Sequence, residues 1–187
     1  LPIAKMTEAL SSFFRYTTST MDHLVSLEDE LGSIDSYFII QQYRFGERLS
    51  LSVGPSPDEA DALLRCRMPK LILQPIVENS IIHGLERKVG PGHLRIAVES
   101  TAGRLLVSIR DDGVGMDADK LSGLFSGPRE SRSGFNRIGL YNVRRRVVLS
   151  YDPPCDVRVE SFPGAGTVVT LLLPLLRAGC GAVHVEP

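Results

Sequence analysis

The segment VENSIIHGL, residues 77–85, places Glu78, Asn79 and His83 inside an otherwise apolar run. Burying an unpaired polar side chain costs roughly 1–3 kcal/mol, so a core helix normally excludes such groups. These side chains must therefore pair with one another or face something that is not protein. A carboxamide oxygen such as that of Asn79 is a hard ligand that suits Mg²⁺, an ion that prefers few protein ligands together with substrate phosphates.

The spacing of these polar residues predicts one stripe of a helix. Asn79, His83, Glu86 and Arg87 follow each other at helical intervals, and His83 and Arg87 could meet phosphate oxygens on that face. Ile76 also falls on this side, so the separation is imperfect. An ordinary solvated face remains an open alternative. The opposite, packing side gathers Leu73, Val77, Ser80, Ile81 and Gly84.

A second candidate is the glycine-rich stretch DDGVGM. Asp111 ends an apolar strand pattern, so its carboxylate is expected to be exposed at the end of a sheet. There it could accept a hydrogen bond from an exocyclic amine, which would favour adenine over guanine. Gly113 and Gly115 would let the backbone approach a flat ligand closely. Taken alone, the pattern is equally that of a tight turn.

Two further motifs follow in chain order. In IGLYNV, Gly139 lies at a predicted helix start, which is a natural site for phosphate. In GAGT, Thr167 enters the last strand pattern. Each motif is weak by itself, and their order along the chain strengthens the hypothesis of a nucleotide site.

The elements that must position these residues divide into two parts. Residues 4–20 and the stretch after Ser26 have helical periodicity, with Asp29 completing a capping-box signal, which predicts a helical hairpin. Alternating patterns then predict strands in RLSLSV, LLRCRM, HLRIAVES, RLLVSIRD, CDVRVESF and GTVVTLLLP. Helices are predicted from Pro69 to about Glu86, over 117–124, and in IGLYNVRRRVVLSY. In the first of these, Pro75 either kinks the helix or marks its true first turn. The polar, glycine-containing residues 125–137 predict a mobile connection. The expected fold class is α+β, a two-layer sandwich preceded by a hairpin.

Composition limits the function classes. The net charge of −1 over 187 residues gives no basic stripe for nucleic acid. The three cysteines match no metal or disulfide spacing, which favours a reduced, cytoplasmic setting. No 18-residue apolar run and no signal peptide are visible. The chain begins with Leu1 rather than Met, which suggests a piece of something longer.

The motifs resemble those of sensor histidine kinases of the LytS/YesM type. LQPIVENSIIHGLE is similar to the N box of that family, DDGVGM and IGLYNVRRRV to its two glycine boxes, and GAGTVVTLLLP to its last box. The family also carries a Y-x-x-I-Q-x-x-R-F segment upstream, which is matched by Tyr37, Ile40, Gln41, Arg44 and Phe45. The resemblance covers the chain to about Pro174.

The resemblance implies the ATP-binding sandwich shared by histidine kinases, gyrase, Hsp90 and MutL, called the Bergerat or GHKL fold. Three parts are expected: a partial dimerisation region at 1–45, the catalytic domain at 46–176 and a tail at 177–187. Residues 117–137 would form the ATP lid. By this resemblance, Asn79 would hold Mg²⁺ against the ATP phosphates, and Asp111 would hold the adenine amine. The remaining expected nucleotide-binding residues are His83, Arg87, Gly113, Gly115, Met116, Arg137, Gly139, Leu140 and Thr167.

Three departures from the family pattern stand out. Arg137 replaces the first glycine of the second glycine box, and Asp112 replaces a common Asn, which we expect to be mild. The phosphoacceptor motif N-P-H-F is missing: the histidines are His23, His83, His93 and His184, and none has that setting. We therefore expect that this chain contains no catalytic residue. The histidine that accepts the phosphoryl group is expected to lie outside it.

The implied function is that of the catalytic part of a two-component sensor kinase, which passes the ATP γ-phosphate to a histidine for relay to a response regulator. The implied partners are that regulator and a second copy bound through the helical region. The implied location is cytoplasmic, with any membrane attachment only through missing upstream segments of a membrane sensor. Three alternatives remain. They are a non-catalytic scaffold with a decayed pocket, a serine kinase of the anti-sigma type, and an ATP hydrolase, which would need a Glu where this chain has Pro75.

Overall fold

The computed structural model describes residues 3–19, 24–55, 59–125 and 136–176, with only the backbone at 136–138. The helices are α1 (Ile3–Thr18), α2 (Leu27–Phe45), α3 (Ala60–Leu64), α4 (Gln74–Asn79), α5 (Ala118–Ser122) and α6 (Asn136–Ser150). The strands are β1 (Leu24–Ser26), β2 (Leu49–Pro55), β3 (Arg67–Pro69), β4 (Gly92–Thr101), β5 (Arg104–Asp111), β6 (Asp156–Phe162) and β7 (Gly166–Pro174). A π-helical segment, Ser80–Leu85, continues α4 directly.

The predicted helical hairpin is confirmed. Ser26 caps α2 by accepting a hydrogen bond from the Asp29 amide at 3.1 Å, and the Asp29 carboxylate accepts one from the Ser26 amide at 3.1 Å. These reciprocal bonds satisfy two backbone donors that the first turn of a helix leaves free. α1 packs against α2 with the rings of Phe13 and Tyr37 5.7 Å apart.

A five-stranded sheet of order β2-β4-β5-β7-β6 forms one layer. The β2–β4 pair is parallel, because the chain crosses over between them through α3, β3, α4 and its π-helical continuation. The other neighbouring strands are antiparallel. The register brings Asp111 opposite Thr167, so the last residue of β5 and the start of β7 lie side by side at one end of these central strands.

The helices form the second layer. Alternate side chains of the central strands are buried under them, among them Ile96 on β4, Ile109 on β5 and Leu171 on β7. This alternation follows from the two-residue period of a strand, which turns one face of the sheet to the core. The two-layer α+β sandwich predicted from the sequence is confirmed. The hairpin shares this core, because Ile34 of α2 belongs to the same buried cluster as Ile76.

The structure corrects two predicted elements. LLRCRM is not one strand: its first half ends the short helix α3, and only Arg67–Pro69 forms a strand, which pairs antiparallel with β1. The helix expected from Pro69 begins at Gln74, with Pro75 in its first turn, where a missing N–H costs nothing. In the described parts of the chain, no helix combines the length and the apolar character needed to cross a membrane.

Candidate functional site

A cavity of about 90 Å³ lies between α4, its π-helical continuation and the meeting ends of β5 and β7. We call Gln74–Leu85 the pocket helix. The described residues that line the cavity are Ile76, Asn79, Ser80, His83, Gly84, Asp111, Gly115, Met116, Leu124, Leu140, Thr167 and Val169. Its wall combines apolar side chains with a few converging polar groups, which is the usual character of a small-molecule site.

Asp111 is the carboxylate of this wall. Its residue is only 1% exposed, and its Oδ1 accepts a hydrogen bond from the Gly113 amide at 3.0 Å. Burial raises the pKa of Asp111, and hydrogen bonds from the Gly113 amide, the Ser80 hydroxyl and the Thr167 amide lower it only in part. An ionised carboxylate has about four acceptor sites, so it can hold these donors and still accept one from a ligand.

Two glycines let the pocket helix approach Asp111. A Cβ on Gly84 would lie 2.7 Å from Asp111 Oδ1, and a Cβ on Gly113 would lie 2.4 Å from the Gly84 carbonyl carbon. The Val114 amide also donates to the Gly84 carbonyl at 3.2 Å, which fixes the helix to the loop. Only residues without a side chain allow this contact.

A second close contact joins the loop after β5 to the β6–β7 turn. Gly115 has φ +66°, and a Cβ there would lie 1.9 Å from the Phe162 carbonyl oxygen. The buried Ser161 hydroxyl accepts from the Met116 amide at 2.8 Å and donates to the Gly166 carbonyl at 3.0 Å. It also lies 2.9 Å from Thr167 Oγ1. These bonds hold Met116 and Thr167 in the cavity wall.

The other end of the cavity is formed by the pocket helix and the start of α6. Asn79 is half-buried, and a Cβ on Gly139 would lie 3.4 Å from its Nδ2. The absence of a side chain at Gly139 therefore leaves room for the carboxamide. Leu140 is buried beside it, and His83 stands one turn further along the pocket helix.

The structure brings most of the predicted site residues together. Asn79, His83, Asp111, Gly115, Met116, Leu140 and Thr167 line the cavity, and Gly113 and Gly139 contact residues that do. Arg87 is not among the lining residues. The side chain of Arg137 lies outside the described residues, as do His23, His184, the tail at 177–187 and the part of the predicted lid at 126–135.

The predicted packing face of the pocket helix needs correction. Ser80 and Gly84 were expected to pack away from the site, yet both line the cavity. Ile76, which was expected on the polar side, does line it. The physical reason is the π-helical turn, in which hydrogen bonds span five residues, as from the Glu86 amide to the Ile81 carbonyl. The wider turn changes which side chains share a face.

Some residues of the site escaped the sequence reasoning. A glycine inside a helix, such as Gly84, often has a packing reason, and this signal could have identified it. Ser161 ends a strand beside the GAGT turn, but nothing local distinguishes it from an exposed serine. Gly166, with φ +88° and a would-be Cβ 2.0 Å from the Asp111 carbonyl oxygen, could have been read from the repeated glycines of that turn.

The metal-ligating side chains of the cavity suit Mg²⁺ only if a bound nucleotide supplies further oxygen ligands. Among the described residues, no group of three or more His, Cys, Asp or Glu could hold a metal ion. Asn79 offers one carboxamide oxygen, and Mg²⁺ commonly binds through one or two protein oxygens plus phosphates and water. The residues therefore fit a metal that arrives with a nucleotide rather than one resident in the protein.

Comparison with known proteins adds a family. A model of the histidine kinase-, DNA gyrase B- and HSP90-like ATPases matches residues 67–177, and a histidine kinase model matches residues 2–49. The sensor histidine kinase YesM of Bacillus subtilis is 33% identical over 172 residues, which are 92% of this chain and 28% of that protein. The sensor histidine kinase YpdA of Escherichia coli is 32% identical over 169 residues, 90% of this chain and 28% of that protein. The chain thus spans little more than a quarter of the length of these relatives.

Solved structures give the same fold. The histidine kinase domain of the Erythrobacter litoralis EL346 blue-light activated histidine kinase has a TM-score of 0.56 at 15% identity, covering 92% of this chain and 74% of that chain. The mycobacterial sensor histidine kinase MprB has a TM-score of 0.56 at 16% identity, covering 83% of this chain and 98% of that chain. From its motifs, its cavity and these matches, the chain belongs to the histidine kinase-, DNA gyrase B- and HSP90-like ATPase family and, within it, to the sensor histidine kinases of the YesM type.

Proposed function

We propose that this chain is the ATP-binding catalytic part of a two-component sensor histidine kinase and transfers the γ-phosphate of ATP to a histidine outside the chain. The observation that carries the proposal is the single cavity wall that joins the buried Asp111 to Asn79 and His83. An acceptor carboxylate for the base and a hard oxygen ligand for the phosphates stand at its two ends.

The adenine would lie against Asp111. The carboxylate accepts a hydrogen bond from the exocyclic amine, whereas guanine presents an oxygen at that position and would be repelled. Gly113 and Gly115 keep the wall flat, and Met116 and Val169 offer apolar contact to the ring. Thr167, tied to Ser161, supports the polar end of this pocket.

The phosphates would lie toward the pocket helix and the start of α6. Asn79 would hold Mg²⁺, which supplies charge neutralisation for the phosphates when it is bound. His83 stands in the wall to meet a phosphate oxygen, and Gly139, which has no side chain, leaves room beside Asn79. The roles predicted for Arg87 and Arg137 at the phosphates remain predictions.

Slow hydrolysis belongs to the same proposal. Asp111 is the one carboxylate among the described lining residues, and it is held at the base end by the Gly113 amide. Pro75 occupies the position where the related ATP hydrolases carry a water-activating Glu, and Glu78 accepts a hydrogen bond from Gln74 Nε2 at 3.0 Å instead of entering the cavity. ATP would therefore be held for transfer to an acceptor.

The partners follow from the same family. A response regulator would receive the phosphoryl group, and two copies would pair through the helical region at 1–45, ahead of the catalytic domain at 46–176. On α1, the apolar side chains of Ile3, Leu10 and Phe14 are exposed. Pairing of two copies would bury this apolar face, and its exposure in the single chain supports the proposed dimer. The longer protein would be a membrane sensor whose catalytic part lies in the cytoplasm.

The test is radiolabelling with ATP. The chain alone should bind ATP and remain unlabelled, whereas a longer polypeptide that includes the upstream helix should acquire label that acid removes, because phosphohistidine is acid-labile. Asn79→Ala or Asp111→Ala in the longer polypeptide should abolish that label. Acid-stable label on the short chain would instead favour the serine kinase, and a chain that binds no nucleotide would favour the scaffold.

A further inference from the structure

Among the described residues, Glu30, in the first turn of α2, is a buried acidic side chain that lies outside the cavity. The residue is 1% exposed, and its carboxylate lies against the chain segment that leads into the pocket helix. Oε2 accepts hydrogen bonds from the amides of Ile72 and Leu73, each at 3.1 Å. Oε1 accepts from the Leu71 amide and from the Tyr16 hydroxyl of α1. One carboxylate thus joins α1, α2 and the start of the pocket helix.

Burial raises the pKa of Glu30, and the hydrogen bonds from the Tyr16 hydroxyl and from the amides of residues 71–73 lower it in part, because they favour the ionised form. All four partners are donors, and an ionised carboxylate offers about four acceptor sites and no donor. A glutamine of the same shape would turn an NH₂ group toward two of these donors. The amides lie just before α4, where a helix start leaves donors without internal partners. Leu71 has φ +57°, a conformation that a leucine keeps only when its surroundings impose it.

The segment is held from other elements as well. Arg146 of α6 donates to the Lys70 carbonyl at 3.0 Å, and Lys70 Nζ donates to Ser19 Oγ, at the end of α1, at 2.8 Å. From Leu73 the helix continues without a break, since the Leu73 carbonyl accepts from the amides of Ile76 and Val77, each at 3.1 Å. The segment that Glu30 holds is therefore rigidly continuous with Asn79.

A second contact between α2 and the pocket helix differs in kind. Arg44, near the end of α2, forms an ion pair with Glu86, just beyond the pocket helix, but the Arg44 side chain is 58% exposed. Exposed ion pairs are screened and contribute little. Glu30 is buried and accepts four hydrogen bonds, so its contact sets the position of the pocket helix relative to α2.

We propose that Glu30 is a positioning residue for the phosphate end of the nucleotide site. It fixes the start of the pocket helix and ties it, through the Tyr16 hydroxyl, to α1. A displacement of α1 against α2 would then change the placement of Asn79 and the affinity for the nucleotide phosphates. This inference rests on the proposed function, because it needs the cavity to bind a nucleotide.

The experiment compares Mg²⁺–ATP with adenosine, each titrated into the 187-residue chain by calorimetry or NMR. Glu30→Gln should weaken Mg²⁺–ATP by about tenfold and Tyr16→Phe by about threefold, while both change adenosine affinity by less than about twofold. The matched control is Ser26→Ala, which removes the cap of the same helix without contacting residues 71–73 and should change neither affinity.

A merely structural role predicts a different pattern. Equal losses for ATP and adenosine, or losses in Ser26→Ala as large as in Glu30→Gln, would overturn the inference. If Glu30→Gln does not fold, Tyr16→Phe decides alone, because unchanged selectivity between the two ligands in that variant contradicts the proposal. Hydrogen exchange adds a direct readout: ATP should slow exchange of the 71–73 amides in the native chain and less so in Tyr16→Phe.

The two proposals fail separately. If the native chain binds neither ligand, the proposed function fails. If the native chain binds Mg²⁺–ATP and the Glu30 and Tyr16 variants bind it equally well, only the positioning role fails.

Discussion

The two ends of the cavity are built in different ways. At the Asp111 end, strand termini, glycines and the Ser161 hydroxyl meet at hydrogen-bond distance, and every polar group of the wall is fixed by a near neighbour. At the Asn79 end, one half-buried carboxamide depends on the helix that carries it. The start of α6 lies close to it, since a Cβ added to Gly139 would be 3.4 Å from the Nδ2 of Asn79.

This difference suggests a division of labour. The base end is held by contacts between near neighbours, so the recognition of adenine proposed there should not depend on the rest of the molecule. In the proposed function, the phosphate end is positioned from a distance, through the pocket helix and Glu30, and it is the part that a signal could adjust. Changes at the base end should therefore act on folding and on all ligands alike, whereas changes at the phosphate end should act on phosphates.

The largest effect is expected at Gly115. Gly115→Ala places a Cβ 1.9 Å from the Phe162 carbonyl oxygen, at φ +66°, so the loop must move. The free energy of unfolding in urea should fall by about 3 kcal/mol or more. Gly103→Ala is the matched control, with φ +74° but no atom within 4 Å of the new Cβ, and should cost only about 1 kcal/mol. Equal losses would mean that the close contact at Gly115 is unimportant.

A pH-dependent effect is expected at Asp111. Burial raises its pKa in the folded state above the ordinary value of 3.8, so its ionisation disfavours folding of the ligand-free chain. The stability that the protonated group contributes is complete below 3.8 and is lost as the pH rises through the raised pKa. Relative to the native chain, Asp111→Asn should therefore gain stability in urea unfolding between about pH 4 and pH 7. A relative loss of stability over that range would contradict the burial argument.

The smallest effect is expected at the neighbouring residue, Asp112. Here replacement by asparagine should lower the stability of the fold, whereas at Asp111 it should raise it. Burial alone would raise its pKa, but hydrogen bonds from the His93 amide, at 2.8 Å, and from Lys88 outweigh it and lower the pKa. Because the side chain is 48% exposed, Asp112→Asn should cost less than about 1 kcal/mol at pH 7. The cost should shrink as the pH falls below 3.8, where the native carboxylate also becomes protonated. A cost that persists at pH 2.5 would show that the charge is not its source.

The features that the sequence predicted are those fixed by neighbours in the chain. The capping box of Ser26 and Asp29 covers four residues. Asp111, Gly113 and Gly115 stand together in one motif. The helical and alternating patterns predicted the two-layer sandwich, and the motifs, with the resemblance that they carry, predicted most of the cavity wall.

The features that the sequence did not reveal depend on distant partners. Glu30 looks like an exposed acid in the first turn of a helix, and its amide partners lie more than forty residues away. The strand β3 forms because β1 pairs with it, against the local pattern of LLRCRM. The π-helical turn leaves no periodic signal, so the faces of the pocket helix were assigned by α-helical geometry, and Ser80 and Gly84 were placed on the wrong side.

The most direct test of the central claim measures separately how much each end of the cavity contributes to the affinity for ATP. ATP, GTP and adenosine are titrated with Mg²⁺ into the native chain, Asp111→Asn and Asn79→Ala, with urea unfolding as the check on folding. Asp111→Asn should weaken ATP and adenosine by the same factor, about 30-fold or more, because the carboxylate meets only the base. Asn79→Ala should weaken ATP by about tenfold and leave adenosine unchanged, and GTP should bind the native chain far more weakly than ATP. Equal affinity for GTP and ATP, or an Asn79→Ala loss that is the same for adenosine as for ATP, would contradict the account.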